Sequence, residues 1–284
     1  MKIGVTGAAG HLGRLAIDGL LAKLPAEDII AIVRNPAKAA DLAARGVVVR
    51  VAAYDDTPAL DAALAGVDTL LLISSSEVGR RAQQHRNIID AAKAAGVRRI
   101  VYTSTPQATT TALILAPEHK ATEEYLVASG VPYTIVRNNW YTENYVQEVE
   151  TARKTGAIVT AAGEGRVASA TRADYAAGAV AVLLGEGHEN KVYEFSGDYA
   201  WNFHELAAAI SEIIGRPVTY RAVDAAALIE LLKGAGLSAD TAGFVATLDG
   251  NIADGLLGLV SPDLSRLIGR PTTPLLEGLR AALG

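Results

Sequence analysis

Short apolar runs alternate with amphipathic stretches through the first half of the chain, and this alternation predicts strands and helices in turn. The apolar runs show little polar alternation, as expected for strands that helices cover on both faces of a parallel sheet. We place strands at residues 3–5, 29–33, 47–51, 68–73, 99–103 and 133–136. Helices are predicted between them at about 12–23, 36–45, 58–65, 79–95 and 118–129.

Four glycines, Gly46, Gly66, Gly96 and Gly130, directly follow predicted helices. Glycine is favoured at that position because it adopts the left-handed conformation that ends a helix. Strands that alternate with helices in this way indicate an α/β fold with a doubly wound parallel sheet.

Beyond residue 150 the pattern loosens into short strands, as at 191–195, and helices at 203–214 and 225–233. We therefore divide the chain approximately into residues 1–150 and a smaller α+β subdomain, residues 151–284, whose segments interleave with the first part. This subdomain is expected to pack over the carboxyl ends of the strands, where ligands of open α/β sheets bind. The apolar stretch 228–232 could pair with a second copy of the chain, so a homodimer is one expectation.

The turn after the first strand carries three glycines, Gly7, Gly10 and Gly13, each separated by two residues. Glycines there let the backbone approach a pyrophosphate, while the unpaired amides of the next helix face its phosphates. The commonest dinucleotide fingerprint is Gly-x-Gly-x-x-Gly, whereas this variant fits short-chain dehydrogenases and reductases. Residues 1–150 are therefore predicted to form an NAD(P)-binding Rossmann domain.

Arg34 ends the second predicted strand, where an NAD-specific fold usually has an acidic residue for the ribose hydroxyls. A guanidinium cannot accept from those hydroxyls, but it can pair with a 2′-phosphate. Arg34 therefore favours NADPH/NADP as the cofactor; the alternative is a solvated loop arginine.

Composition narrows the class of protein further. The chain has 284 residues, of which 50% are hydrophobic, and no apolar run approaches the roughly 20 residues of a membrane helix. Without a signal-peptide pattern, a cytoplasmic protein is expected. Zero cysteines exclude thiol catalysis, and the five histidines show no metal-ligand spacing. A net charge of −5, without a basic stripe, argues against a nucleic-acid partner.

The Tyr-x-x-x-Lys pair of short-chain enzymes is absent, since none of the ten tyrosines has a lysine four residues later. Carbonyl reductases normally use that pair to protonate the developing alkoxide. A quinone accepts hydride without such a donor, because charge spreads through its ring and solvent can complete the protonation. The absence therefore favours an easily reduced acceptor.

Several longer runs carry a family resemblance over essentially the whole chain. They are residues 6–13, 31–38, 71–79, 84–87, 137–144, 168–175 and 267–269. With these runs the chain resembles NmrA-like atypical short-chain dehydrogenases/reductases, most closely the bacterial NAD(P)H:quinone oxidoreductases of type 2, with triphenylmethane reductases next. The resemblance implies NADPH-dependent hydride transfer directly to a small quinone-like acceptor, without flavin or metal.

The resemblance also implies which residues contact the cofactor. They are Gly7, Ala8, Ala9, Gly10, His11, Leu12, Arg34, Ser74, Ser75, Ser76, Glu77, Val78, Asn138, Trp140, Tyr141 and Arg172. Residues 74–78 could instead be an ordinary strand-to-helix loop. Arg172 could instead form an ion pair with Asp174 or Glu164.

Three residues are catalytic candidates. Trp140 and Tyr141 could offer flat surfaces to a planar acceptor, although both could be core residues. His119 lies at the start of a helix where related plant reductases carry a catalytic lysine, and it could donate a proton or be merely structural. Lys120 and Ser104 are weaker candidates.

Two departures from the family pattern flank the expected acceptor: Asn139 replaces a glycine, and the loop 105–115 differs. They leave open the reduction of dyes, imines or carbonyls. A non-enzymatic NADP(H) redox sensor of the NmrA type is a further alternative.

Overall fold

A seven-stranded parallel sheet forms the centre of the molecule in a computed structural model that describes all residues 1–284. The strands of the protein are β1 (Ile3–Thr6), β2 (Ile29–Val33), β3 (Val48–Val51), β4 (Thr69–Leu72), β5 (Arg99–Ser104), β6 (Tyr133–Asn138), β7 (Ala157–Thr160), β8 (Arg166–Val167), β9 (Lys191–Phe195), β10 (Trp201–Asn202) and β11 (Thr219–Ala222). The strand order in the central sheet is β3-β2-β1-β4-β5-β6-β9. The predicted doubly wound α/β fold is confirmed.

Twelve α-helices surround the sheet and build the remaining part. They are α1 (His11–Leu21), α2 (Ala40–Ala44), α3 (Thr57–Leu64), α4 (Arg81–Ala94), α5 (Ala116–Ser129), α6 (Val146–Thr155), α7 (Arg172–Leu184), α8 (Phe203–Ile214), α9 (Ala225–Gly234), α10 (Ala239–Ala253), α11 (Asp263–Ile268) and α12 (Leu275–Leu283). None of them is long and apolar enough to cross a membrane.

The apolar core has three parts. Residues of α1 and α7 cover one face of the sheet, and residues of α3, α4 and α5 cover the other. The third cluster joins residues of α6, α8 and α12 beside two small two-stranded sheets, β10-β8 and β11-β7. β9 pairs with the central sheet and α7 packs on it, so the chain after residue 150 contributes both to the central sheet region and to the third cluster. The two-part division stays a prediction.

The four predicted C-cap glycines are confirmed, because Gly46, Gly66, Gly96 and Gly130 have φ between +70° and +85°. The topology also fixes where a ligand can lie. The chain leaves β1 toward β2 on one side, while β4 pairs with β1 on the other. At such a switch point the loops after the strands diverge and open a crevice at their carboxyl ends.

The helix suggested for subunit pairing is only partly available. Leu228 is buried within the chain, whereas Leu231 on the same helix is exposed. Association of two copies through this helix stays a prediction.

Candidate functional site

The turn between β1 and α1 is packed so closely that only glycine fits at one position. A Cβ on Gly13 would lie 2.4 Å from the Gly7 carbonyl oxygen and 2.7 Å from the Ala8 Cα. Gly7 itself has φ +59°, a conformation that favours glycine. These two glycines let the turn pack tightly over the start of α1.

The amides at the start of α1 have no acceptor within the protein. Gly10 is the N-cap and offers no side-chain oxygen, and the first turn contains no acidic residue. No backbone or side-chain oxygen accepts from the N–H groups of His11, Leu12 and Gly13. Unpaired amides at a helix N-terminus bind phosphate favourably, since the helix dipole also attracts the negative charge. This turn fits the pyrophosphate of a dinucleotide.

The loop after β4, residues 73–79, lies beside this turn, and side chains of neighbouring helices hold its backbone. The Ser75 N–H donates to His85 Nε2 at 2.9 Å, and the Ser75 carbonyl accepts from Arg81 Nε at 2.6 Å. At the far end of the loop, the Gly79 N–H donates to the Glu118 carboxylate at 3.1 Å. Side chains of α4 and α5 therefore fix the loop that was predicted to contact the cofactor.

The protonation state of His85 follows from its partners. Its Nε2 accepts from Ser75, so its Nδ1 carries the hydrogen and donates to Thr122 Oγ1 at 3.0 Å. Burial, with a smaller contribution from the Arg81 charge, lowers the pKa of His85 to about 3. The neutral ring therefore serves as a fixed acceptor for the loop across the physiological pH range.

Sequence reasoning assigned no role to His85, Arg81 or Glu118. The run 84–87 was among the stretches that carried the resemblance, and this was the available signal for His85. Arg81 and Glu118 lie on different helices and come together only in the folded chain, 3.6 Å apart.

Arg34 follows β2, two strands from the loop after β4, and its side chain reaches that loop. Its Nη1 lies 2.6 Å from Glu77 Oε1, so two residues that were predicted to contact the cofactor form an ion pair. Ser76 and Val78 are exposed on the same loop. The structure brings these residues and the glycine turn together at the carboxyl ends of β1, β2 and β4. We call this set, residues 7–13, Arg34 and residues 73–79, the cofactor end.

The segment after β6 carries the other predicted residues. Asn138 is 5% exposed, and its Oδ1 has no hydrogen-bond partner. Trp140 and Tyr141 are half-buried, so both keep accessible surface. The Arg172 guanidinium lies 4.5 Å from the centre of the Tyr141 ring, in cation–π contact.

The ion pairs suggested for Arg172 from the sequence are wrong. Its Nη1 lies 3.6 Å from Glu143, and its Nη2 donates to Asn144 Oδ1 at 2.9 Å. Asp174 instead pairs with Arg270, and Glu164 lies beside His204. Arg172 therefore fixes the segment 141–144 from the start of α7.

His119 is 6% exposed, and its Nδ1 lies 2.7 Å from the Tyr102 hydroxyl. Burial, followed by the charge of Arg81, holds the pKa of His119 well below its usual value. The ring is therefore neutral near pH 7, so any proton donation would have to come from a neutral imidazole. Its catalytic role stays a prediction, while Lys120 beside it is exposed.

The loop 105–115 borders a cleft of about 420 Å³ together with Ala116, Pro117 and Lys120. An ion cluster centred on the buried Glu123 and the partly buried Arg137 ties this loop to the sheet. Arg137 lies 2.6 Å from Glu123 and 2.9 Å from Glu194, and Glu194 accepts from the Gln107 N–H at 3.1 Å. Gln107 has φ +48°, so the loop turns sharply where Glu194 holds it.

Ser104 belongs to this cluster, because its hydroxyl donates to Glu123 Oε1 at 2.6 Å. Arg137 lies in the run 137–144 that carried the resemblance, but nothing in the sequence indicated its two acidic partners. We call residues 105–117, residues 138–144 and Arg172 the acceptor end.

The side chain of Asn139 is engaged within the protein. Its Nδ2 donates to the carbonyls of Leu257 and Leu259 at 3.1 and 3.3 Å, and its Oδ1 accepts from the Trp140 N–H at 2.8 Å. With 4% of its surface exposed, Asn139 anchors the segment after β6 to residues 257–259. Both polar atoms of the side chain are thus used inside the chain.

A larger open groove, of about 710 Å³, lies between α8 and β11. His204, Ser211 and Tyr220 are among its lining residues, and none of the predicted site residues borders it. It is therefore separate from the crevice at the sheet edge.

Comparison with known proteins agrees with this geometry. A family model described as NAD(P)H-binding matches residues 7–186. Quinone oxidoreductase 2 of Escherichia coli K12 is 51% identical over 277 residues, covering 98% of this chain and 97% of that protein. The solved Escherichia coli NADPH-dependent quinone oxidoreductase in complex with NADPH matches with a TM-score of 0.95 and 50% identity, over 99% and 100% of the two chains.

Triphenylmethane reductase of Citrobacter sp. also matches, with a TM-score of 0.95 and 41% identity, over 100% of this chain and 99% of its own. The matched family region includes the glycine turn, Arg34, the loop 73–79 and Arg172. The chain belongs to the NAD(P)H-binding family of Rossmann-fold proteins.

Proposed function

We propose that this protein is an NADPH-dependent oxidoreductase that reduces a small quinone-like acceptor. The observation that carries the proposal is the uncapped start of α1, whose three free amides lie beside a turn in which Gly13 leaves no room for a Cβ. A bound NADPH would supply the hydride. The 51% identity to a quinone oxidoreductase over nearly the full chain supports quinone as the acceptor class.

The residues of the cofactor end would bind and orient the dinucleotide. The amide N–H groups of His11, Leu12 and Gly13 would donate hydrogen bonds to its phosphates, and Arg34 would pair with the 2′-phosphate. The loop 73–79, fixed by His85 and Arg81, would follow the cofactor toward the nicotinamide. Asn138 would offer its unpaired Oδ1 to a ligand group there, because an unsatisfied buried acceptor gains from a donor.

The acceptor end would hold the quinone. Trp140 and Tyr141 provide aromatic surface, and the cleft bordered by the loop 105–115 provides space next to it. Quinone reduction takes up one hydride and one proton, and the product is the quinol. Water can supply that proton at the exposed cleft, with neutral His119 as the side chain to test as a donor.

The similarity to a triphenylmethane reductase favours dyes as a second acceptor class. We also propose a cytoplasmic location, a substrate-side part formed by residues 151–284, and a homodimer. Fractionation, limited proteolysis and analytical ultracentrifugation test these three in turn.

The test of the function is NADPH oxidation by the purified protein with a panel of benzoquinones, naphthoquinones and triphenylmethane dyes. We expect turnover that depends on enzyme concentration and is fastest with a quinone. Turnover with triphenylmethane dyes but not with quinones would show that dyes, and not quinones, are the acceptor class. Tight NADPH binding without any turnover would favour a redox sensor instead.

A further inference from the structure

Two arginines at the cofactor end share one carboxylate. Glu77 Oε1 lies 2.6 Å from Arg34 Nη1, and Glu77 Oε2 lies 3.2 Å from Arg80 Nη1. Arg34 comes from the end of β2, whereas Arg80 lies at the start of α4. Glu77 thus joins two cations from separate elements at the place where the 2′-phosphate is expected.

The carboxylate is fixed to the fold, while the arginines are not. Gln84 is 2% exposed, and its Nε2 donates to Glu77 Oε2 at 3.0 Å and to Asp55 Oδ2 at 3.1 Å. The side chains of Arg34 and Arg80 are 67% and 63% exposed, and Arg80 Nη2 also lies 2.8 Å from Asp55 Oδ2. The guanidinium groups can therefore swing toward a ligand, but Glu77 stays in place.

The physical consequence depends on charge. Exposed ion pairs contribute little to stability, so a ligand can replace them at small cost. A phosphate can take the place of the carboxylate, because a guanidinium group binds either one in bidentate geometry. Glu77, which Gln84 holds nearby, then remains as a like charge that weakens phosphate binding.

We propose that Glu77 and Arg80 set how strongly this site prefers a phosphorylated over an unphosphorylated adenosine ribose. Glu77 competes with the 2′-phosphate for both arginines, and Arg80 is a second phosphate-binding cation beside Arg34. An unphosphorylated ribose leaves the ion pairs of Glu77 with Arg34 and Arg80 intact. The inference rests on the proposed use of NADPH and concerns the degree of preference for NADPH over NADH.

The test compares 2′,5′-ADP with 5′-ADP, which differ only in the 2′-phosphate, by isothermal titration calorimetry. Removing one like charge near the phosphate should tighten 2′,5′-ADP binding about fivefold in Glu77→Gln, from the Coulomb energy of two charges about 4 Å apart in water. Arg80→Gln should weaken it by about the same factor, and both variants should change 5′-ADP affinity less than about twofold. The control Arg45→Gln removes an exposed arginine that pairs with Asp18, and it should change neither affinity.

Two different failures can be told apart. If the wild-type protein binds the two nucleotides equally, the preference for NADPH is wrong, and this inference is wrong with it. If the wild type prefers 2′,5′-ADP and both variants keep the wild-type ratio, only this inference is overturned. An equal loss of both affinities in Glu77→Gln would also overturn it, because Glu77 would then only support the loop.

Discussion

The two ends of the candidate site are built from different material. At the cofactor end, backbone amides and glycines from one short stretch, residues 7–13, form the surface for phosphates. At the acceptor end, side chains from β5, β6, β9 and α5 meet around Arg137 and hold the loop 105–115. A local backbone motif therefore forms the phosphate-binding turn of the cofactor end, whereas long-range contacts between side chains hold the acceptor end.

The charged pairs at the two ends differ in how far they are exposed to solvent. Arg34 is mostly exposed and pairs with a carboxylate that a ligand can replace, whereas the side chain of Arg137 is 12% exposed and that of Glu123 is 4% exposed. An exposed pair is exchangeable, but a buried pair is costly to break. The comparison indicates that the cofactor end is prepared for exchange and that the acceptor end is fixed in shape.

The largest effect is expected from Arg137→Met. Glu123 and Glu194 would lose their shared cation, and a buried unpaired charge costs about 3–5 kcal/mol of unfolding free energy. Urea unfolding measures this loss. Arg98→Met, which removes an exposed pair with Asp68, is the control and should cost about 1 kcal/mol or less. Equal losses in the two variants would contradict the distinction between fixed and exchangeable charge.

The pH dependence of stability should follow Glu148, on the helix after the acceptor end. Burial, with a smaller effect of Asp249, raises the pKa of Glu148 from 4.5 to about 7, and one of its oxygens is buried without a partner. The folded state thus favours the protonated form. Protonated Glu148 therefore contributes on the order of 3 kcal/mol to the free energy of unfolding. This contribution is fully present below about pH 4.5 and is lost as the pH rises through about 7.

Unfolding free energies of wild type and Glu148→Gln at about pH 5 and about pH 8 test this expectation. The variant should lose less stability than the wild type between the two values. Glu150→Gln, a half-exposed carboxyl of the same helix, should keep the wild-type slope. A parallel pH dependence in Glu148→Gln and wild type would show that Glu148 is not the group responsible.

A smaller loss of stability, with a large loss of cofactor binding, is expected from Gly13→Ala. The new Cβ would meet backbone atoms of Gly7 and Ala8, which cannot move as a side chain can, and overpacking of this kind costs about 1–3 kcal/mol. NADPH affinity should fall by at least about tenfold, because the turn must open at the phosphate site. Fluorescence titration with NADPH measures it.

Gly243→Ala provides the control, since a Cβ there meets no atom within 4 Å. It should leave NADPH affinity nearly unchanged and raise the unfolding free energy by up to about 1 kcal/mol, because alanine favours the helix more than glycine does. An unchanged NADPH affinity in Gly13→Ala would show that the glycine turn does not bind the cofactor.

The difference between the two ends also explains what the sequence could predict. Gly7 and the four C-cap glycines follow local rules of backbone conformation, and they have the positive φ that those rules predict. The regular alternation of strand and helix made the first 136 residues readable. Later helices such as α7 and α10 were missed, since their apolar positions serve packing between elements that are distant in sequence.

The supports of the site could not be predicted for a related reason. Glu194 is 57 residues from Arg137 in sequence, and a pairing at that distance leaves no periodic signal. In the sequence His85 looks like an ordinary helix residue, and only the folded chain shows that its ring accepts a hydrogen bond from the Ser75 N–H. Asn139 was expected near the acceptor, but only the folded chain shows that residues 257–259 use its polar atoms.

We predict that the loop 105–115 shapes the acceptor site without contributing to cofactor binding. Glu194→Ala tests it most directly, because this change removes the acceptor of the Gln107 N–H while Arg137 keeps Glu123. We predict that the KM for a benzoquinone rises about tenfold, equivalent to about one lost hydrogen bond to a charged group, while the Kd for NADPH stays within about twofold. Glu194→Gln, which retains an acceptor oxygen, should restore part of the loss. An unchanged quinone KM, or an equal loss of NADPH affinity, would contradict the account.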